Sequence, residues 1–555
     1  MRNFIIILLF VSLFSCKEDK TNVATPEVDT EGISTDSISI GVTTFKDAEV
    51  KDFREFKVLD SKYIENSELW SSFDSQLEDF SESNYNDLKS LIIEQDIPTL
   101  QKHIADGKLS YELLTKFYLY RIRKFDREND LSLNSVITLN PNVIEEAKKA
   151  DKTRFVDTPH PIFGMPILLK DNINASNMPT TAGAVALQSN VSDDAFIVQQ
   201  LKKQGAIILG KTNLSEWAYF FCGDCPSGYS AVGGQTLNPY GRRIMDTGGS
   251  SSGSGVSVAA NFSVGAVGSE TSGSILSPSS SNSIVGLKPT IGLLSRSGIV
   301  PISSTLDTPG PMTKNVIDNA ILLDAMSGFD DSDSKAIKSQ VLSYSESLIE
   351  SSIEGKRFGA FKRLMEDSLY VNAIKVLRDN GAEVVEVDEI DVQRSGFISL
   401  LNLDMKKDLP DYLANHAANA VEVTSVQDVI DFNNLDSLNR APYGQRLFKG
   451  IVDDPGNLQY LDSIKTDLKT KSRLYFDTPL EKQNLDGFLS INNFHAGWAA
   501  TAEYPALTVP MGYQESGRPR GLTFISKPLS EKTLLEWAYV YEQASKKRVP
   551  PVNYN

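Results

Sequence analysis

Serine hydroxyls crowd two short glycine-rich turns of this 555-residue chain: residues 248–254 read GGSSSGS and residues 269–274 read SETSGS. A flexible linker has a similar composition, but linkers lack an apolar interior. Here Val256, Val258, Ala259, Ala260, Phe262, Val264, Ala266 and Val267 supply one. The stretch therefore reads as two turns flanking a buried helical or strand-like segment. Glycine lets backbone approach a ligand closely or take positive φ, and serine adds a small donor and acceptor. Two such turns brought together would aim several N–H groups and more than one hydroxyl at a single point. That is the composition of an oxyanion site for acyl transfer.

What the two turns lack is a base. The chain has only His103, His160, His416 and His495, none in a recognisable serine-hydrolase setting, and no G-x-S-x-G elbow surrounds a candidate serine. Lysine is the next choice. Pro166-Ile167-Leu168-Leu169-Lys170-Asp171-Asn172 puts Lys170 at the end of an apolar run, where burial would lower its pKa. The ordinary alternative is a strand-end lysine snorkelling to water.

GGSSSGSG at 248–255, SETSGS at 269–274, Gly286-Leu287-Lys288-Pro289-Thr290 and Asp307-Thr308-Pro309-Gly310-Pro311-Met312 follow one another in an order that resembles the amidase signature enzymes. The likeness is collinear from about residue 100 to residue 551. That family carries a Ser–cis-Ser–Lys triad. The resemblance implies Ser274 as nucleophile, Ser250 as the cis-serine, with the cis peptide at Gly249–Ser250, and Lys170 as base. It implies oxyanion donors in the N–H groups of Thr271, Ser272, Gly273 and Ser274, with Ser251 orienting the relay. No metal or organic cofactor is suggested. The fold implied is α/β, a large mixed twisted β-sheet covered by helices on both faces.

The reaction implied is hydrolysis of a carboxamide through a Ser274 acyl-enzyme. An unperturbed lysine is neutral in only about one molecule per few thousand at pH 7, so burial must lower Lys170 by about two to three units. Ser252 and Ser272 stand where the family usually has glycine, Glu270 where it has aspartate, Leu276 where it has arginine, and Thr247 where proline is common. Ser272 is costly only where its backbone needs positive φ. SETSGSIL and DTPGPM look closer to bacterial peptide-amidase-like members than to lipid amidases. Peptide C-terminal amides, aliphatic amides, aryl amides and esters all suit such a triad. Two other functions compete with a stand-alone amidase: an amidotransferase A-type subunit, and a catalytically inactive lipid-anchored amide- or peptide-binding protein. Occupied triad positions favour the enzyme.

Net charge is −17, which argues against a nucleic-acid partner, since phosphate binding needs basic patches. At the N-terminus Arg2 precedes an apolar run at residues 4–14, too short for a permanent membrane span, which ends in Leu13-Phe14-Ser15-Cys16. This resembles a bacterial lipobox, with Cys16 lipidated and the mature protein anchored in the cell envelope. Residues 17–45 read as a disordered tether. Two cysteines remain, Cys222 and Cys225, as C-G-D-C. A zinc site would need two more ligands, so they are read as a disulfide or as two free thiols.

The elements that must position these groups follow in chain order. Aromatics return in residues 46–95, an N-terminal extension to a catalytic domain at 96–555. Residues 85–124 read as helical, with Ser110 as an N-cap. Strands are expected at 134–139, 167–169 and 206–209, alternating with helices, as in a largely buried mixed sheet. A helix at 316–326 closes the signature region. Residues 327–483, with a strand–helix–strand unit near 358–387 and helices over 400–475, would shape the substrate pocket. Strands at 504–512 and 521–525 and a helix at 531–544 return to the sheet, so one large catalytic domain is expected.

Overall fold

A computed structural model describes residues 56–153, 159–341 and 343–554. The lipobox, Cys16 and the 17–45 tether lie outside the described residues. Thirteen strands are formed there: β1 (Val136–Leu139), β2 (Pro166–Lys170), β3 (Ile207–Thr212), β4 (Tyr229–Ser230), β5 (Gly234–Gln235), β6 (Gly265–Glu270), β7 (Val285–Lys288), β8 (Thr308–Thr313), β9 (Arg357–Phe361), β10 (Glu383–Val387), β11 (Gly487–Ile491), β12 (Ala506–Tyr513) and β13 (Pro519–Ile525). Eleven join one sheet in the order β1-β3-β2-β6-β8-β7-β12-β13-β11-β9-β10, while β4 and β5 form a small hairpin.

The sheet is mixed. β2 runs parallel to β3 and β6, and β9 parallel to β10 and β11, whereas β7, β8, β12 and β13 pair antiparallel with their neighbours, as does β6 with β8. Central strands covered on both faces need continuous apolar runs. β2 and β6 are buried along their whole lengths; helix Val316–Met326 covers β6, β8 and β7, and helix Glu531–Ser545 covers β12 and β13.

The segment expected to be helical or strand-like is both. Helix Ser252–Ala259 is wholly buried and leads into β6. Its glycines permit close packing: a Cβ at Gly253 would collide with the main-chain oxygens of Asn213 and Ser135. The single helical reading of 85–124 is corrected to three helices, Glu82–Ile92, Ile97–Ala105 and Tyr111–Phe125. Asp96 caps the second by accepting from Thr99 N at 2.8 Å, Gly107 takes φ 72° just beyond its end, and Ser110 caps the third. Residues of the N-terminal extension share the core, since Trp70, Phe73 and Tyr85 are buried and Tyr85 stacks on Phe117.

Residues 397–483 form four longer helices, Phe397–Asn415, Val426–Asn434, Arg446–Asp453 and Leu458–Gln483, packed around a second apolar cluster. Cys222 and Cys225 are joined in a disulfide, their Cα atoms 5.9 Å apart. Next to them Phe221 O accepts from Leu447 N at 2.9 Å, which docks this loop on helix Arg446–Asp453. Among the described residues no helix is long and apolar enough to cross a membrane.

Candidate active site

Strand alternation decides where the end of β2 points. Successive side chains face opposite sides of a sheet, so Lys170 and Asn172 go one way and Asp171 the other. Asp171 is ion-paired with Lys211 at 2.9 Å, both fully buried. Lys170, also fully buried, does not snorkel. Its Nζ lies 2.8 Å from Ser250 Oγ and donates to Ser269 O at 3.0 Å and Ser269 Oγ at 2.9 Å. Asn172 Nδ2 donates to the same Ser269 hydroxyl at 2.9 Å and to Val300 O at 3.3 Å.

Burial pushes the Lys170 amine down to about 7, against the opposing pull of the Asp307 and Glu270 carboxylates. A neutral amine has two N–H donors and one lone pair. Two of the three contacts go to Ser269, so the lone pair is left facing Ser250. Burial likewise raises Asp307 to about 6. Its carboxylate accepts from Thr271 Oγ1 at 2.5 Å and from the N–H groups of Ile302 and Ser303 at 2.8 and 2.9 Å.

The first serine turn is fixed by its backbone. The Gly249–Ser250 peptide is cis. Ser250 O accepts from Ser215 N at 3.0 Å, and Ser251 N donates to Ser274 O at 3.2 Å. That bond places the second turn beside the first. Ser251 Oγ donates to Ser269 O at 3.1 Å, so it supports the same carbonyl that holds the lysine. Among the described residues no hydrogen bond joins Ser250 Oγ to Ser274 Oγ. Catalytic contacts of this kind often tighten only when substrate arrives.

In the second turn the left-handed residue is Gly273, φ 92°, and Ser272 is not among the positive-φ residues, so serine is tolerated there without strain. One expected donor is corrected. Gly273 N donates to Glu270 Oε1 at 2.6 Å, and Ile275 N and Leu276 N donate to Glu270 Oε2 at 2.7 and 3.0 Å. The glutamate thus clamps the turn and takes the Gly273 N–H, leaving Thr271, Ser272 and Ser274 as the candidate oxyanion donors.

A cleft of about 220 Å³ opens beside Ser269, Thr271 and Asp307, and Tyr412 and His416 of the 397–483 region also line it. A wider polar cleft of about 790 Å³ adjoins it, sharing Ser297, Ser332 and His416. Ala218 lines the inner cleft and sits in a run of three left-handed non-glycine residues, Trp217, Ala218 and Tyr219. Such residues persist only where surroundings enforce them. Trp217 and Phe221 pack on Phe448 at 5.2 and 5.1 Å between ring centroids, and the disulfide follows directly.

Sequence reading missed several of these groups. Asn172, two residues beyond Lys170, was findable from strand period, as was Ser269 at the head of the second turn. Also missed was one Ser–His–carboxylate arrangement: Ser490 Oγ lies 2.6 Å from His495 Nδ1, and His495 Nε2 lies 3.3 Å from Glu389. Glu389 and His495 are 106 residues apart in sequence, so spacing gave no signal. Ser490 is fully buried, which removes it as a nucleophile. Among the described residues no group of three or more His, Cys, Asp or Glu is placed to hold a metal ion.

Comparison with known proteins gives the same picture at family level. Residues 114–441 match the Amidase family model. An Arabidopsis thaliana protein described as a probable amidase is 36% identical over 478 residues, covering 83% of this chain and 92% of that protein. The structure of an amidase family protein from Bacillus anthracis superposes with TM-score 0.84 at 36% identity, covering 89% of this chain and 99% of that one. Native peptide amidase from Stenotrophomonas maltophilia gives TM-score 0.76 at 39% identity, covering 83% and 98%. A glutamyl-tRNA(Gln) amidotransferase component from Zymomonas mobilis is 29% identical, covering 80% and 96%.

Proposed function

The chain belongs to the amidase signature family and is an amidase, and on that premise we propose that it cleaves a carboxamide through an acyl-enzyme on Ser274. The observation that carries this reading is the buried Lys170 amine, brought down to about 7, with its Nζ 2.8 Å from Ser250 Oγ. Neutral Lys170 takes the proton of Ser250 Oγ while Ser250 Oγ takes that of Ser274 Oγ. The freed Ser274 oxygen attacks the carbonyl carbon. Negative charge developing on the carbonyl oxygen is met by N–H groups from Thr271, Ser272 and Ser274. As the C–N bond breaks, the proton returns through Ser250 to the leaving nitrogen. Water then gives a proton to the same relay as its oxygen attacks the acyl carbon; the Ser274 Oγ–acyl bond breaks, the relay returns the proton to Ser274 Oγ, and the carboxylate leaves.

Peptide C-terminal amides head the substrate panel, because the 39%-identical Stenotrophomonas protein is named as a peptide amidase. We further propose that Cys16 carries a lipid that holds the enzyme at the bacterial cell envelope. An amidotransferase role is disfavoured by the −17 charge, which repels tRNA. The test is trapping with a slow acylating probe, alongside ammonia release from a panel of amides. The expected adduct maps to the peptide containing Ser274 and is absent from Ser274→Ala. An adduct elsewhere, or neither ammonia nor amine from any amide, overturns the reading.

A further inference from the structure

A second set of residues packs against the oxyanion turn. Asn493 faces Gly273, its Nδ2 lying 3.1 Å from where a Cβ would sit. Ser272 Oγ and Arg394 Nη2 both border Gly497, 3.6 and 3.8 Å from where its Cβ would sit. Arg394 is held through one nitrogen only. Its Nη1 donates to Ser472 Oγ at 3.1 Å, Gly497 O at 2.9 Å and Thr501 Oγ1 at 2.8 Å. Its guanidinium carbon lies 3.5 Å from the Trp498 ring centroid. Among the described residues Arg394 has no carboxylate partner, and its Nε and Nη2 make no hydrogen bond. Burial brings its pKa down to about 10.

The guanidinium is locked in place and half-buried, and its Nε and Nη2 are free of protein acceptors yet open to solvent, so an anion can reach them. The Nε–Nη2 edge is the one that meets a carboxylate with two parallel N–H bonds. We propose that Arg394, with Ser272 Oγ and Asn493 Nδ2, forms a subsite for a carboxylate carried by the amide substrate close to the scissile bond. Preferred substrates are then half-amides of short dicarboxylic acids, or peptides with an acidic group beside the amide. This deepens the amidase reading and rests on Ser274 being the nucleophile.

The experiment has two arms. In the first, Ser274→Ala protein is titrated calorimetrically with succinamate and with butyramide, so no turnover is needed. Succinamate should bind about ten- to a hundredfold more tightly, as one charge-assisted pair allows. The preference should vanish in Ser274→Ala/Arg394→Gln and survive in part in Ser274→Ala/Arg394→Lys. In the second arm, kcat/KM for the same pair is measured in enzyme with Ser274 intact. The succinamate preference should be of the same size, and Arg394→Gln should bring it near unity mainly through KM. Equal binding of both ligands, or a parallel loss on both in Arg394→Gln, overturns the subsite and leaves Arg394 as a structural tie. Retained selectivity in the first arm with no turnover in the second would instead sink the hydrolase reading.

Discussion

At the scale of single residues the chemistry turns on the protonation of Lys170. Only its neutral form can accept a proton, so kcat should rise with pH through about 7, where burial has brought the amine. A flat profile between about pH 5.5 and 8.5 would contradict this. Lys170→Arg should be nearly inactive in folded protein, because guanidinium does not become neutral in this range. Lys170→Ala and Ser274→Ala should each lose about 10³-fold or more, and the double variant little beyond either. Near-additive losses would separate the two residues into independent roles. The same lysine has a stability signature. Its folded-state pKa lies below the unfolded value near 10.5, so the unfolded chain binds the extra proton between about 7 and 10.5. Stability from this group therefore increases with pH across that window. The Tm of Lys170→Met relative to native should accordingly be higher at about pH 6 than at about pH 9, and the opposite order would refute the buried-amine assignment.

At the scale of elements, two features hold the reacting groups, and they differ in how legible they were. β2 was readable because its apolar run is unbroken, and its end delivers Lys170, whereas the sequence left the stretch holding β6 open between helix and strand. The Glu270 clamp was not readable. Which N–H groups a carboxylate collects depends on backbone directions that residue types do not encode, and so the loss of the Gly273 donor emerged only from the folded geometry. Glu270→Gln replaces one acceptor oxygen with a donor facing main-chain N–H groups. It should cut kcat about 10- to 100-fold with a smaller change in KM, as for loss of oxyanion geometry; an unchanged kcat would show that the turn holds itself. The loop at 217–225 lines the cleft through Ala218. Cys222→Ser with Cys225→Ser should lower stability, toward the low end of roughly 0–5 kcal/mol because the closed loop is short, while Ser274 acylation persists. Acylation lost in a folded double variant would tie the thiols to the chemistry. Arg394 escaped sequence reading for a different reason: it reaches the site from an irregular segment far from every motif.

For the whole molecule, the α/β architecture and the single sheet were legible from alternating elements, whereas the strand order was not, since periodicity does not say which strands neighbour. The aromatic residues of the N-terminal extension belong to the common core, so the folded part begins well before the family motifs. Cys16→Ala should leave the protein soluble after fractionation with normal amide turnover, because lipid at that residue is the proposed anchor. Persistence in the membrane fraction with the apolar segment uncleaved would refute the lipobox.

The position of β12 has a consequence for biosynthesis. β7, in the signature region, is paired on one side with β8 and on the other with β12, which begins at Ala506. Ser280, just after the second serine turn, meets Thr508 of β12 at 3.1 Å. A ribosome has therefore emitted both serines and the lysine long before the neighbour that completes their sheet exists. Nascent chains ending before β12 carry every reacting group and lack the strand against which β7 must close, so activity waits for β12. Such delayed closure would suit the proposed envelope location, where a chain is threaded outward before it folds, since non-local pairing is slow to form.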